Sequence, residues 1–372
     1  MLKWIRSRLS GAAGARRLGA QLVSEERFAE AIDVLRRALE LEPRHAGTAN
    51  LLGMACTLAL RLEEAAPCYA RALELDPSLT DAYANAGWNA RLLGRAEAQG
   101  LFREWLSRAA RPAPAPRSRA ELPSVTLCCI DCSYHELAAA ALRHSLACCA
   151  FSDALFFSDR DCAVDGVRFV PVERIGSSAD YSNFVVHRLH EYVASDHVLI
   201  VQYDGFVLSP AAWRPAFLEY DYIGATISVN RRRIVGNGGF SLRSARLLRA
   251  LRDDPDVRRY DARREPLSED LAICDTYRPL LESRYGLRFA PEQVADAFAA
   301  ELKRPSERTF GFHNLIHLVA LQQSGFVLAP DGGDGAVDIV FRAGTEQGEL
   351  ALRRQLDLSG NDAFAPAAPG LA

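Results

Sequence analysis

The sequence contains no apolar run of the roughly 18–20 residues that a bilayer-crossing helix needs, so no helical membrane span is expected. It has no excess of charge of one sign. Lys and Arg number 44 and Asp and Glu 47, a net charge of -3, which gives no basis for bulk binding to nucleic acid. It lacks an even, spaced cysteine set. There are nine cysteines, and Cys128, Cys129, Cys148 and Cys149 lie inside apolar runs, as small core residues of a reducing compartment do. Cys129-x-x-Cys132 has no compatible second pair of ligands for zinc. Gly-x-Gly-x-x-Gly is missing from the exit of the first strand-like run, which removes the main support for a dinucleotide-binding fold. Residues Met1–Leu9 are basic and faintly amphipathic, without the long apolar core of a secretory signal. They read as a peripheral membrane contact or as an extra basic turn before the first helix. The expected location is cytoplasmic, with attachment at the inner face of the membrane as the alternative.

What is present is a folding composition, 49% hydrophobic and 24% charged over 372 residues, enough for two domains. The pattern divides into a basic segment (1–11), a repeat region (12–110), a proline-rich linker (111–121), an α/β domain (122–330) and a loosely ordered Gly-, Asp- and Ala-rich tail (331–372). Gly19, Gly53 and Gly87 recur every 34 residues, as do Pro43 and Pro77. Glu40-Leu41-Glu42-Pro43 and Glu74-Leu75-Asp76-Pro77 are near copies. This resembles the tetratricopeptide repeat (TPR), an α-helical array whose small residues sit where paired helices approach closely. The third repeat is degraded, with Gln99 and Gly100 near the small-residue position and no closing proline, and reads as a cap. Such an array offers a concave face to a protein or peptide partner, or else supports the next domain.

The linker Arg111–Arg117 alternates proline and favours extended geometry. Beyond it, apolar runs at 125–131, 153–159, 167–172 and 197–208 predict strands, and 136–149 and 181–192 predict helices. The order points to an α/β sheet. Asp204 falls at the end of the longest run, where ligands of open α/β sheets bind. Asp131 ends the first strand and is either a ligand contact at a nucleotide base or ribose or a turn residue. Three glycines in Gly236–Ser244 let backbone approach a ligand, and the Ser241–Ser244 segment leads into a helix over Ala245–Leu251 whose first N–H groups would face an anion. Glu269 and Asp270 open a helix, His313 stands alone between aromatics, and Arg231–Arg233 reads as a diphosphate contact or a solvated loop.

Val201–Leu208, Tyr220–Gly224, Gly236–Ser244, Glu269-Asp270 and Phe310–His313 together resemble, over about residues 122–330, the GT-A (nucleotide-diphospho-sugar transferase) fold. More narrowly they resemble a bacterial family of glycosyltransferase-like domains of unknown function. The resemblance implies an α/β GT-A-like domain after the TPR domain, moving a sugar from a nucleotide sugar to an acceptor hydroxyl with inversion. The acceptor would be a glycan, a lipid-linked glycan or a protein. It implies Asp270 or Glu269 as base, and Asp131, Gln202, Asp204, Gly238, Gly239 and Arg243 along the donor. It implies Mn²⁺ or Mg²⁺ held by Asp204 and His313, although Gln202 stands where a first aspartate is usual. The alternative is a TPR scaffold carrying a catalytically degenerate GT-A-like domain.

Overall fold

The computed structural model describes residues 11–229, 232–303, 305–324 and 326. The expectations for the basic segment 1–10 and for the tail beyond 326 lie outside these residues. The chain divides at Arg111/Pro112 into two compact units. Among the described residues no helix is long and apolar enough to cross a membrane.

The first unit is three helical pairs: α1 (Ala12–Ser24) with α2 (Phe28–Leu41), α3 (Ala46–Leu58) with α4 (Leu62–Leu75), and α5 (Thr80–Leu92) with α6 (Ala98–Ala109). The 34-residue glycines explain the pairing. A Cβ on Gly53 would stand 2.7 Å from the Tyr69 ring, and one on Gly87 would stand 2.8 Å from Phe102. Only glycine lets those helices close. The third pair keeps this packing, with Trp88 edge-on to Phe102 at 4.8 Å. Its degraded motif therefore does not degrade the helices. Thr57, fully buried, joins the pairs by meeting Tyr69 Oη at 3.0 Å and Asn89 Oδ1 at 3.2 Å.

The second unit is built on a six-stranded sheet. Its strands are β1 (Ala120–Ile130), β2 (Cys149–Ser158), β3 (Arg168–Pro171), β4 (His197–Val201), β5 (Tyr222–Gly224) and, after a hairpin of β6 (Thr226–Val229) and β7 (Arg232–Val235), β8 (Ser241–Ser244). The order is β3-β2-β1-β4-β8-β5. The first four strands run parallel, while β8 is antiparallel to both β4 and β5. Strand alternation feeds two cores. Leu127, Cys129, Leu199 and Val201 pack with α7 (His135–Cys148) and with Phe240, Phe298 and Phe310. Cys128, Ile130, Val198 and Ile200 pack on the other face with α8 (Ser178–His187) and Leu248 of α9 (Ala245–Asp253). Both faces of β4 are covered, which is why its sequence is apolar without alternation.

Two expectations change here. The apolar run at 197–208 is not one strand. β4 stops at Val201, and the chain turns through Gln202–Gly205, closed by paired backbone bonds of 2.9 and 3.0 Å between Gln202 and Gly205. Ser241–Ser244, expected to lead into a helix, is a central strand, and the helix expected at 245–251 follows it as Ala245–Asp253, capped by the Ser244 hydroxyl accepting from Leu247 N–H.

Candidate functional site

The turn after β4 carries Gln202 and Asp204 to the C-terminal edge of the parallel strands. Three later segments meet them there. One is the loop Gly236–Phe240 before β8. A second is a short helix, α10 (Glu269–Leu271), which runs into a π-helical turn Ala272–Thr276, a geometry that recurs at functional sites. The third follows α11 (Glu292–Phe298), where β9 (Ala299–Ala300) pairs with β10 (Gly311–Phe312) and sets Glu301 beside His313.

His313 is the hub. Its Nδ1 lies 3.1 Å from Glu301 Oε2 and 2.9 Å from Asn237 Nδ2, and its Nε2 lies 3.2 Å from Gln202 Oε1 and 3.6 Å from Asp204 Oδ1. Nε2 thus faces acceptor oxygens, while Nδ1 has both the Glu301 carboxylate and the Asn237 amide nitrogen within hydrogen-bond reach. Burial works against a charged ring, but Asp204 and Glu301 outweigh it and lift the His313 pKa to about 9. The ring is an imidazolium at neutral pH. Its neighbour Asn314 takes φ 119°, a strained backbone for a non-glycine residue, and donates its N–H to Asp204 O at 3.0 Å. The Asn314 side chain holds the other Glu301 oxygen at 3.0 Å. Gly239 lies under the ring. A Cβ there would overlap the imidazole and stand 2.8 Å from Gln202 Oε1.

The adjacent glycine connects this hub to the acidic pair. Gly238 N–H donates to Asp270 Oδ2 at 3.1 Å, and Ser268 Oγ donates to Asp270 Oδ1. Asp270 is partly exposed; burial first, and the charge of Glu269 second, raise its pKa to about 6. Glu269 is 3% exposed and accepts from Arg243 Nη2 at 2.6 Å. Arg243 is fully buried, its guanidinium packed over the Tyr222 ring at 5.2 Å and its Nε donating to Ser241 Oγ at 3.0 Å. The pair braces the loop from beneath.

The structure therefore sorts the expected residues. Gln202, Asp204, Gly238, Gly239, Asp270 and His313 converge. Glu269 and Arg243 do not reach the site surface: each is the other's buried counter-charge, so neither is placed to act as base or donor contact. Asp131 is a turn residue, its Oδ1 accepting from Ser133 and Tyr134 N–H at 2.7 and 2.6 Å at the entry to α7. Burial raises its pKa. Of the arginine run, Arg232 pairs with Asp275 at 3.2 Å and Arg233 with Glu292 and Asp296 at 3.2 and 3.4 Å, so these two are held on the β6–β7 hairpin by carboxylates.

Asp204 and His313, with Nε2 3.6 Å from Oδ1, are the residues that would hold a divalent ion here. Among the described residues no three His, Cys, Asp or Glu side chains are arranged to hold a metal ion.

Sequence reasoning missed Glu301 and Asn237 as partners of His313. Asn237 sits inside the glycine stretch, but Glu301 lies in a charged segment that reads as solvated loop, and only the β9–β10 pairing reveals it.

Residues 166–313 match the family described as "Protein of unknown function (DUF5672)", which covers most of the site. Among curated proteins none matches the chain. The helical unit is similar to solved TPR structures. YrrB, "a TPR protein with an unusual peptide-binding site", is 27% identical over 28% of this chain and 54% of its own, with a TM-score of 0.27. MamA is 25% identical over 27% of this chain and 58% of its own, with a TM-score of 0.26. The second TPR of Spaghetti, bound to an HSP90 peptide, is 25% identical over 26% of this chain and 92% of its own, with a TM-score of 0.26. The chain thus spans little more than half the length of the first two. The likeness is confined to the helical repeats.

Proposed function

We propose that the sheet unit is a glycosyltransferase that moves a sugar from a nucleotide sugar to an acceptor hydroxyl. The observation that carries this reading is Asp270. It is a partly exposed carboxylate with a pKa raised to about 6, held by the same glycine loop that passes under the imidazolium of His313. A base poised near neutral pH beside a fixed positive charge suits displacement at an anomeric carbon. Asp270 takes the proton of the acceptor hydroxyl as that oxygen bonds the anomeric carbon. The bond from that carbon to the diphosphate oxygen breaks, and its electron pair leaves with the nucleoside diphosphate. A single displacement of this kind inverts the centre. His313 supplies positive charge toward the leaving diphosphate, and Gly238 and Gly239 let Glu269 and the His313 ring close on the loop that holds Asp270. No step is routed through a metal ion.

The test is release of nucleoside diphosphate from a panel of nucleotide sugars, with and without a chelator. Turnover that survives chelation and is lost in Asp270→Asn supports the reading; turnover unchanged by Asp270→Asn contradicts it. The helical unit would then serve to present a polypeptide acceptor or to bind a separate partner. A scaffold reading draws on Gln202, which stands where a first aspartate is usual. Calorimetry separates the two, since a scaffold binds no nucleoside diphosphate.

A further inference from the structure

One helix face outside the site is given over to a single loop. Asp180, Asn183 and His187 stand at i, i+3 and i+7 on α8 and so share a face. All three hold the segment that runs into Asp270. Asn183 uses both ends of its amide: Nδ2 donates to Asp261 Oδ1 at 3.1 Å, and Oδ1 accepts from Ala262 N–H at 3.0 Å. The His187 ring donates through Nε2 to Tyr260 O at 3.0 Å. Asp180 Oδ1 accepts from Arg263 Nε at 3.1 Å. Beside that face Ser182, fully buried, accepts the Glu269 N–H on its Oγ at 3.1 Å. The loop also closes on itself, since the Tyr260 hydroxyl donates to Leu267 O at 2.6 Å. These contacts are not equal. Arg263 is exposed, and an exposed pair contributes little. Asn183 and Ser182 instead hold backbone N–H groups of two buried residues, Ala262 and Glu269, and such a group is costly to leave without an acceptor.

We propose that the polar face of α8 is a clamp that positions Asp270, with Asn183 as its positioning residue. Ser268 Oγ bonds the Asp270 carboxylate but moves with it, so it does not set where the segment stands. α8 can, because Val185 fixes it in one core with Val198 and Ile200 of β4. Gly238 N–H, bonded to Asp270 Oδ2, then meets a carboxylate already in place. That Asp270 is a base rests on the transferase reading; that Asn183 fixes its segment does not.

The test uses the full chain. Asn183→Asp keeps an acceptor for the Ala262 N–H but sets a carboxylate against Asp261, which opens the clamp. Adding Asp261→Asn returns a donor to that contact and leaves an oxygen for the Arg263 N–H, which closes it again. Hydrogen exchange of the Ala262, Glu269 and Gly238 amides reads the clamp and its reach to Asp270. All three should exchange about tenfold faster in Asn183→Asp, the effect of about one hydrogen bond, and at the wild-type rate in the double variant. In turnover, kcat should fall about tenfold in Asn183→Asp with KM unchanged, and recover in the double variant. Unchanged exchange, a change that does not reach Gly238, a loss that the second substitution does not reverse, or a rise in KM alone overturns the proposal. Nucleoside diphosphate binding is measured in parallel. If wild type neither binds it nor turns over any nucleotide sugar while Gly238 exchange still follows the clamp, the transferase reading fails and the clamp stands.

Discussion

The helical unit and the sheet unit handle polar groups in opposite ways, and the contrast explains what each is for. In the helices charge stays outside. Arg27 pairs with Glu30 and Arg61 with Glu64 on exposed faces, and the buried polar groups such as Thr57 and Asn89 are neutral and bonded to one another. In the sheet unit charge goes inside. Arg243 and Glu269 form a buried ion pair, and Asp204 and Glu301 face the half-buried His313 ring. Interior charge is expensive and is retained where it does chemistry or fixes a geometry. The helical unit has a packing logic, and the sheet unit has a site.

The largest effect should come from breaking the buried pair. Arg243→Met leaves Glu269 uncompensated and should cost about 3–5 kcal/mol, seen as a fall in the denaturant midpoint of the sheet unit alone. Equal stability in the variant would erase the contrast.

Next is pH. The folded pKa of His313, about 9, lies above its ordinary 6.5. Its contribution is therefore full below pH 6.5 and lost as pH rises through 9, about 3 kcal/mol in all. A stability profile of wild type against His313→Gln should show that slope in the first and not in the second.

Gly53→Val tests the other unit. Its side chain would meet Tyr69 and should destabilise the helices by about 2 kcal/mol, read from helical melting. Nucleotide binding should not change. Gly239→Ala should do the reverse, displacing His313, weakening binding and lowering the melting of the sheet unit while helical melting stays where it was. The smallest effect should be Arg27→Ala, an exposed pair whose loss leaves the melting temperature where it was.

The same contrast governs what could be read from the sequence. The repeats were legible because their information is local and periodic. Gly19, Gly53 and Gly87 each answer a large residue in the next helix, and the spacing alone reports it. The sheet strands were legible as apolar runs, though a run cannot show where hydrogen bonding stops, so the turn at Gln202–Gly205 was hidden inside one. Ser241–Ser244 looked like a helix start because serine caps helices, yet only Ser244 does so and the rest pairs with β4. The site was legible in part. Asp204, Gly238, Gly239, Asp270 and His313 stood out as residues misplaced in their local patterns. The burial of Arg243 and Glu269 did not, because a salt bridge across 26 positions leaves no local trace. Glu301 did not either, since its role exists only once β9 and β10 pair.

The most direct test of the account is the pH dependence of donor turnover. Asp270 acts as base only when ionised, so the rate should rise as pH passes through about 6 and level off above it. In Asp270→Asn that rise should vanish, with turnover lowered about a thousandfold, the middle of the range for a general base. A rise that persists in the variant, or wild-type turnover indifferent to pH between 5 and 7.5, would contradict the assignment and with it the proposed chemistry.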